Sequence, residues 1–233
     1  MIRLTRSGVL VTGSDDDFDR LRAQYARQHY LILPELIEPE LLEVVTRRVE
    51  AAPFQPFDHN GIALEERMFA DDTLGIVNFL TNTPEFLRKM ELLLGIRRIG
   101  WFGGRVYRMT AADGHYDSWH RDVGDRRLAT LSLNLTRQKY RGGGLQMRYS
   151  NSDSILHDIH NTGFGDALVF RISRKLTHRV MPIEGTIPKL AYAGWFRWGR
   201  GFHESLRKNA ATNQMGGHRS RPRPAAISTS HSA

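Results

Sequence analysis

Three segments in the first hundred residues carry apolar side chains at helical spacing. The stretch DDDFDRLRAQYARQHY begins with acidic residues, which favour a helix N-terminus. The stretch EPELLEVVTRRVEAA places four aliphatic side chains on one stripe: Leu41, Leu42, Val45 and Val49. The stretch TPEFLRKMELLLG has Thr83 as a cap and Gly95 as a stop signal. The apolar run YLILPELI, between the first two helices, predicts a short strand.

From about residue 97 the pattern changes to short strand-like runs separated by Gly, Asp, Asn and Pro. These runs are IRRIGWFGGRVYRM, LATLSLNLT, GLQMRY, DALVFRI, LTHRVMPIE and KLAYAGWFRW. Because no helical pattern intervenes, they predict an antiparallel sandwich or barrel. The fold class is therefore mainly β with N-terminal helices.

One of these runs, LATLSLNLT, shows which side chains share a face. Leucines alternate with small polar residues, so that one face carries Leu131, Leu133 and Leu135 and the other Thr130, Ser132, Asn134 and Thr136. The apolar face is expected to pack against the N-terminal helices. The polar face either meets water, as is usual for antiparallel sheets, or lines a pocket.

Composition narrows the class of protein. A chain of 233 residues fits one domain. The absence of cysteine excludes disulfides and thiolate metal sites and favours a cytoplasmic protein. No apolar run approaches the roughly 18 residues of a membrane span, so we expect no membrane partner. Residues 201–233 are rich in Ser, Ala, Pro and Arg and predict a basic, disordered tail, which either aids solubility or touches an acidic partner or nucleic acid.

The stretch DSWHRDVGDRR holds the main candidate chemistry. If it lies at a strand end, His120 and Asp122 point the same way, because side chains alternate along a strand. His178, in the predicted strand LTHRVMPIE, offers a third ligand. Two histidines and one carboxylate on one face of a metal leave three positions open, which is the arrangement of non-haem Fe(II) oxygenases.

Spacing alone leaves other histidines in competition for this role. His115 and Asp117 repeat the His-x-Asp pattern, and His157 and His160 follow in the stretch LHDIHN. A His-x-Asp pair by itself is weak evidence for a metal site.

The segment from 107 to 198 resembles the Fe(II)- and 2-oxoglutarate-dependent dioxygenases, in particular their prolyl-hydroxylase-like group. The similarity runs in order through DGHYDSWHRD, RRLATLSLNL, YRGGGLQMR, GDALVF, THRVMPIEG and KLAYAGWFR. It implies a double-stranded β-helix, the jelly-roll or cupin-like barrel, over residues 97–200. Residues 1–96 would then form a helical support packed on that barrel.

The resemblance also assigns ligands. It gives iron to His120, Asp122 and His178, and it excludes His115, because the family motif follows a Tyr-Asp-x-Trp run and precedes an Arg-Arg-Leu strand. It implies Fe(II) as the metal, 2-oxoglutarate and O₂ as cosubstrates, and ascorbate as a stimulant.

Lys189 stands six residues before Trp195, where the family places the cation that pairs with the distal carboxylate of 2-oxoglutarate. Otherwise it would be a strand lysine whose head group reaches water. Relatives with Arg at this position often carry Ser or Thr two residues later, whereas this chain has Ala191. Tyr107 is either a hydroxyl donor to the same carboxylate or a half-buried strand tyrosine, and the resemblance favours Asn134 and Thr130 as pocket lining.

The implied activity is hydroxylation of an unactivated C–H bond. Asp122 argues against halogenation, since related halogenases lack this carboxylate. The substrate is a prolyl or similar residue of a protein or peptide, or a free amino acid or small metabolite; nucleic acid is not expected. Five arginines either recognise an acidic substrate or are surface charge: Arg105, Arg108, Arg126, Arg127 and Arg197. The alternative function is a non-catalytic, metal-binding sensor or scaffold.

Overall fold

The computed structural model describes residues 1–69, 71–199 and 201. Its helices are α1 (Asp15–Gln28), α2 (Pro39–Glu50), α3 (Asp72–Leu80) and α4 (Pro84–Leu94). Its strands are β1 (Ile2–Thr5), β2 (Gly8–Val11), β3 (Tyr30–Leu33), β4 (Phe54–Asp58), β5 (Ala63–Met68), β6 (Ile99–Met109), β7 (Tyr116–His120), β8 (Arg127–Asn134), β9 (Arg141–Gly142), β10 (Leu145–Tyr149), β11 (Ile155–Ile159), β12 (Ala167–Arg171), β13 (Leu176–Val180), β14 (Ile183–Glu184) and β15 (Lys189–Trp198).

The helix ends follow the signals in the sequence. Ser14 caps α1 through a reciprocal pair of hydrogen bonds with Asp17, so the acidic start of that segment forms a capping box. Thr83 caps α4, and Gly95 ends it in the left-handed conformation with a φ of 62°. The three predicted helices are therefore confirmed, whereas α3 was not predicted.

Eleven strands form one antiparallel sheet. Ten of them lie in the order β11-β10-β13-β7-β5-β6-β15-β8-β12-β3, and β4 pairs with β5. All six strand runs predicted after residue 97 are present within it. The short sheets β1–β2 and β9–β14 stand apart from it.

The N-terminal part of the chain also supplies strands to this sheet. β3 pairs with β12, as the run YLILPELI suggested, and β5 pairs with both β6 and β7. The interpretation of residues 1–96 as mainly helical support missed the hairpin β4–β5, which joins the sheet directly. Its sequence is rich in charged residues because one of its faces meets a cavity and not the apolar core.

The main core lies between the helices and the outer face of the sheet. Leu131, Leu133 and Leu135 of the β8 region are fully buried in it beside helix residues such as Phe86 and Met90. This confirms the predicted packing of the leucine face on the N-terminal helices. On the opposite, polar face of β8, Thr130 and Ser132 line an interior cavity.

Among the residues described, no helix has the length and apolar character needed to cross a membrane. The predicted basic tail at 201–233 lies outside the described residues except for residue 201.

Candidate functional site

Two of the predicted metal ligands face each other across a strand pair. His120 ends β7 and lies directly opposite His178 of β13, and their ring centroids are 4.3 Å apart. Asp122 follows two residues after His120. Its Oδ1 lies 3.7 Å from His120 Nε2, and its Oδ2 lies 3.5 Å from His178 Nε2. Each of the three residues has one potential ligand atom that lies within 4.8 Å of the potential ligand atoms of the other two.

The orientation of His120 suits metal binding. Its Nδ1 donates to the carbonyl oxygen of Ser118 at 2.8 Å and lies 3.1 Å from Asp117 Oδ1, which leaves Nε2 for the cavity side. Burial lowers the pKa of His120, but the hydrogen bond and charge of Asp117 outweigh it and raise the pKa to about 9. A divalent cation that binds here must therefore displace a proton.

Asp122 is held by two further side chains. Its Oδ2 accepts from Trp195 Nε1 at 2.7 Å, and its Oδ1 accepts from Arg127 Nη1 at 3.0 Å. Burial opposes ionisation, but His178 and Trp195 outweigh it and hold the pKa of Asp122 well below its usual range. The carboxylate is thus ionised at neutral pH and fixed in position, as a metal ligand should be. The residues present fit an Fe(II) ion.

The competing histidine, His115, is used differently. It is buried, and its Nδ1 accepts a hydrogen bond from the backbone N–H of Thr110 at 2.9 Å. It belongs to a second acidic cluster with Glu66 and Asp113, but Glu66 already pairs with Arg108 at 2.7 Å. Because Nδ1 accepts, the proton resides on Nε2, and the ring offers no lone pair to a metal. His115 therefore holds a turn.

The three predicted ligands line a cavity of about 600 Å³, and Lys189 lines it as well. The Lys189 side chain is buried, with Nζ donating to the carbonyl oxygen of Gly143 at 2.7 Å. Burial lowers the pKa of Lys189 to about 8, although the charge of Asp117 partly opposes this shift. A buried ammonium group with no carboxylate in hydrogen-bonding contact among the described residues is suited to bind an anion.

The other predicted cofactor-binding residues lie at different places. Tyr107 lines the cavity opposite Ala191, and burial together with the charge of Glu65 raises its pKa, so that it remains a hydroxyl donor. Thr130 also lines the cavity, opposite Trp195 on the neighbouring strand.

Asn134 lies away from the main cavity and lines a smaller one behind it. Its amide nitrogen donates to the carbonyl oxygens of Thr162 and Gly163, at 2.7 and 3.1 Å, and its oxygen accepts from the backbone of Thr136 at 2.9 Å. The first two bonds tie the end of β8 to the loop before β12, and the third holds the turn of the chain just after β8.

A buried ion cluster in the cavity wall was not predicted. Glu65 accepts from Arg105 through Nε and Nη2, at 2.7 and 3.0 Å, and from Arg67 at 2.8 Å. His59 Nε2 lies 3.0 Å from the same carboxylate. Burial opposes the charge, but Arg105 in particular outweighs it and holds the pKa of Glu65 well below its usual range. The available signal was the pair of charges at positions 65 and 67, which share one face of β5.

The five candidate arginines separate into two groups. Arg105 and Arg127 line the cavity. The other three lie outside its lining: Arg108 pairs with Glu66, Arg197 with Asp125, and Arg126 stacks over the ring of Trp198.

Residues 104–197 match the family described as the 2OG-Fe(II) oxygenase superfamily. No curated protein sequence matches the chain at a significant level. The matched segment includes each of the residues His120, Asp122, His178 and Lys189.

Several solved structures are similar to this fold. A prolyl-4-hydroxylase from Pseudomonas putida is 18% identical with a TM-score of 0.59, over 78% of this chain and 99% of that one. A prolyl hydroxylase from Trichoplax adhaerens, in complex with a peptide fragment of the hypoxia inducible factor oxygen degradation domain, is 15% identical with a TM-score of 0.54, over 86% of this chain and 98% of that one. The non-heme alpha-ketoglutarate-dependent epimerase SnoN from nogalamycin biosynthesis is 14% identical with a TM-score of 0.58, over 79% of this chain and 84% of that one. These similarities confirm the predicted double-stranded β-helix with N-terminal helices.

Proposed function

We propose that the chain hydroxylates an unactivated C–H bond, because residues 104–197 match the 2OG-Fe(II) oxygenase superfamily. In the proposed reaction, 2-oxoglutarate and O₂ become succinate and CO₂, and one oxygen atom enters the substrate. The observation that carries the proposal is the cluster of His120, Asp122 and His178 at a cavity that also holds the buried Lys189.

In this proposal His120, Asp122 and His178 bind Fe(II), which together with 2-oxoglutarate and O₂ supplies the oxidising chemistry. The protein provides the ligands, their orientation and the cavity around them. Asp117 and Ser118 orient His120, and Trp195 and Arg127 orient Asp122. Asp122 also favours hydroxylation over halogenation, because it occupies a position that would have to be free for a halide.

Lys189 is assigned to the distal carboxylate of 2-oxoglutarate. Its Nζ has donated one of its three hydrogens to Gly143, so two remain for an incoming carboxylate. Ala191 and Ala193 follow on the same face of β15 and leave room beside the lysine, and Tyr107 stands opposite Ala191 as a second donor. A buried carboxylate is costly unless it is paired, and Lys189 supplies that partner.

The decisive experiment adds Fe(II) and 2-oxoglutarate to the apoprotein without oxygen and records the visible charge-transfer band of the chelate. We expect a band in the wild type and in His115→Ala, and none in His120→Ala. The two variants make the same change in the two competing His-x-Asp pairs, so each is a control for the other. A band that His115→Ala abolishes and His120→Ala spares would overturn the ligand assignment.

Catalysis is then followed as succinate release on admission of oxygen, with ascorbate expected to prolong turnover. Candidate substrates are prolyl peptides, free amino acids and small metabolites, tested for stimulation of that release. If metal binds and no succinate forms under any condition, the protein is instead a metal-binding scaffold or sensor.

A further inference from the structure

Two guanidinium groups of the cavity wall lie near the ring of Trp195, and a third is joined to them through a shared carboxylate. The guanidinium of Arg127 lies 3.8 Å from the centre of the Trp195 ring, and that of Arg105 lies 5.3 Å from it. Arg67 joins the group because it shares the carboxylate of Glu65 with Arg105. All three arginines line the cavity.

The positive charge of this group exceeds the negative charge that compensates it. Glu65 is the carboxylate that Arg67 and Arg105 share, and Arg127 is paired with Asp122, which the proposed function assigns to iron. The charge of Arg105 lowers the pKa of Arg67 beyond the effect of burial, a sign that the two cations repel each other. An anion in this part of the cavity would relieve that repulsion.

Hydrogen-bond donors remain for such an anion. Within the described part of the chain, Arg67 and Arg105 use Nε and Nη2 but have no acceptor for Nη1. The Nε of Arg127 is buried without an acceptor there as well. The hydroxyl of Thr130, directly across from Trp195 on β8, is likewise buried and without a partner among the described residues. The side chains of Arg105, Arg127 and Thr130 thus lie beside Trp195 at one corner of the cavity, and Arg67 is joined to them through Glu65.

This corner is separate from the end of the cavity that holds Lys189. Lys189 and Trp195 are six residues apart on the extended strand β15, which places their Cα atoms about 20 Å apart. A five-carbon dicarboxylate paired with Lys189 would end at the metal held by Asp122, and it would leave Arg67 and Arg105 with Glu65 as their carboxylate partner. The two cationic ends therefore suit two different anions.

We propose that the substrate carries an oxyanion, either a carboxylate or a phosphate, that binds between Arg105, Arg127 and Thr130 beside Trp195. This inference rests on the proposed function, which fixes the Lys189 end for the cosubstrate. Planar guanidinium groups match the oxygens of carboxylate and phosphate and bind them with charge-assisted hydrogen bonds. Because Arg127 and Trp195 both contact Asp122, the oxidised carbon lies only a few bonds from the anion. The substrate class is accordingly a small acid or phosphate ester.

The test titrates three aromatic probes, namely benzoate, phenyl phosphate and the uncharged benzamide, into the full chain loaded with Fe(II) and 2-oxoglutarate under anaerobic conditions. Binding is measured by calorimetry. Benzoate or phenyl phosphate should bind at least about tenfold more tightly than benzamide, since hydrogen bonds to charged groups are stronger than hydrogen bonds between neutral groups. The tighter of the two anions identifies the source of the oxyanion.

Arg105→Gln should weaken binding of the anion by about tenfold or more. Arg108→Gln removes the same charge three residues away on β6, from a side chain outside the cavity lining, and should leave that binding unchanged. Glu65→Gln removes the competing carboxylate and should tighten binding of the anion, a gain that misfolding cannot produce.

The inference is overturned if benzamide binds as tightly as both anions. It is also overturned if Arg105→Gln and Arg108→Gln have equal effects while Glu65→Gln produces no gain. The arginines do not need the metal, so the same anion titration on the apoprotein tests this inference separately from the proposed function. If the apoprotein binds the anion but no charge-transfer band forms on addition of Fe(II) and 2-oxoglutarate, the anion site stands and the oxygenase assignment of His120, Asp122 and His178 is refuted.

Discussion

The indole Nε1 of Trp195 donates a hydrogen bond of 2.7 Å to Oδ2 of Asp122, although the two residues are 73 positions apart in the sequence. Trp195, on β15, thus donates to one oxygen of the carboxylate, and Arg127 donates to the other oxygen. Side chains that orient a metal ligand in this way commonly contribute one to two orders of magnitude to metal affinity. Trp195 is therefore a positioning residue for the proposed iron site.

Replacing Trp195 by Phe keeps the ring and removes the donor. We expect Trp195→Phe to weaken Fe(II) binding by about 10- to 100-fold, measured as a titration of the charge-transfer band at saturating 2-oxoglutarate. Trp198→Phe makes the same change on the same strand at a half-exposed side chain and should leave the titration unchanged. Equal iron affinities in the two variants would remove Trp195 from this role.

The affinity for 2-oxoglutarate should depend on the protonation of Lys189. Its pKa is lowered to about 8, so the free protein loses the ammonium charge as the pH rises through that value. Binding of the cosubstrate then requires uptake of a proton, and the affinity should fall by about tenfold for each pH unit above about 8. Lys189→Arg keeps its charge throughout this range, so calorimetry should show a flat profile for it. A flat profile in the wild type would contradict the pairing.

Burial of Lys189 should also reduce the stability of the fold. Its pKa falls from 10.5 to about 8 on folding, so below pH 8 the folded state must bury a protonated amine. The destabilisation of the folded state has its full size below pH 8. It disappears as the pH rises towards 10.5, where the unfolded chain also loses the proton. We expect Lys189→Met to raise the free energy of unfolding at neutral pH by about 1–3 kcal/mol and to abolish binding of 2-oxoglutarate. Denaturant unfolding at pH 7 and pH 10 measures both the gain and its decline.

His115 should matter for stability and not for metal binding. His115→Ala leaves the backbone N–H of Thr110 without its acceptor in a part-buried turn, which costs about 1–3 kcal/mol. The midpoint of urea unfolding should fall, while the iron titration of the folded protein stays at the wild-type value. A fall in iron affinity with unchanged stability would show that the second acidic cluster binds the metal.

The strands of the barrel could be predicted from the sequence because the alternation of side chains is a local rule, and alternation in LATLSLNLT gave the two faces of β8. The spacing of His120 and Asp122 did not single them out, because His115 and Asp117 have the same spacing; the resemblance to a known family made that choice. Helix α3 was not predicted because its apolar residues do not lie on one face of the helix: Phe79 is 65% exposed, whereas Val77 is buried. The segment therefore lacks the apolar spacing that indicates an amphipathic helix.

The contacts around the ligands could not be predicted for another reason. Arg105 and Glu65 lie 40 residues apart on two different strands, and Trp195 contacts Asp122 from β15, the last of the described strands in chain order. Such pairs depend on strand order, and nothing in a single sequence states that β5 lies between β7 and β6. The same holds for Asn134, whose polar position on β8 suggested a cavity residue but which ties down a loop.

The opposition of His120 and His178 across β7 and β13 determines where the chain can change length. A one-residue insertion within β7 would turn Trp119 inward and His120 outward, because a strand presents alternate residues to alternate faces. The proposed iron site would then be lost even though all three proposed ligands were still present in the sequence. The segment 123–126 lies between the ligand pair and β8, outside both strands, and can take an extra residue without reversing a face. Natural length variation in proteins built on this site is therefore expected after Asp122 and not before His120.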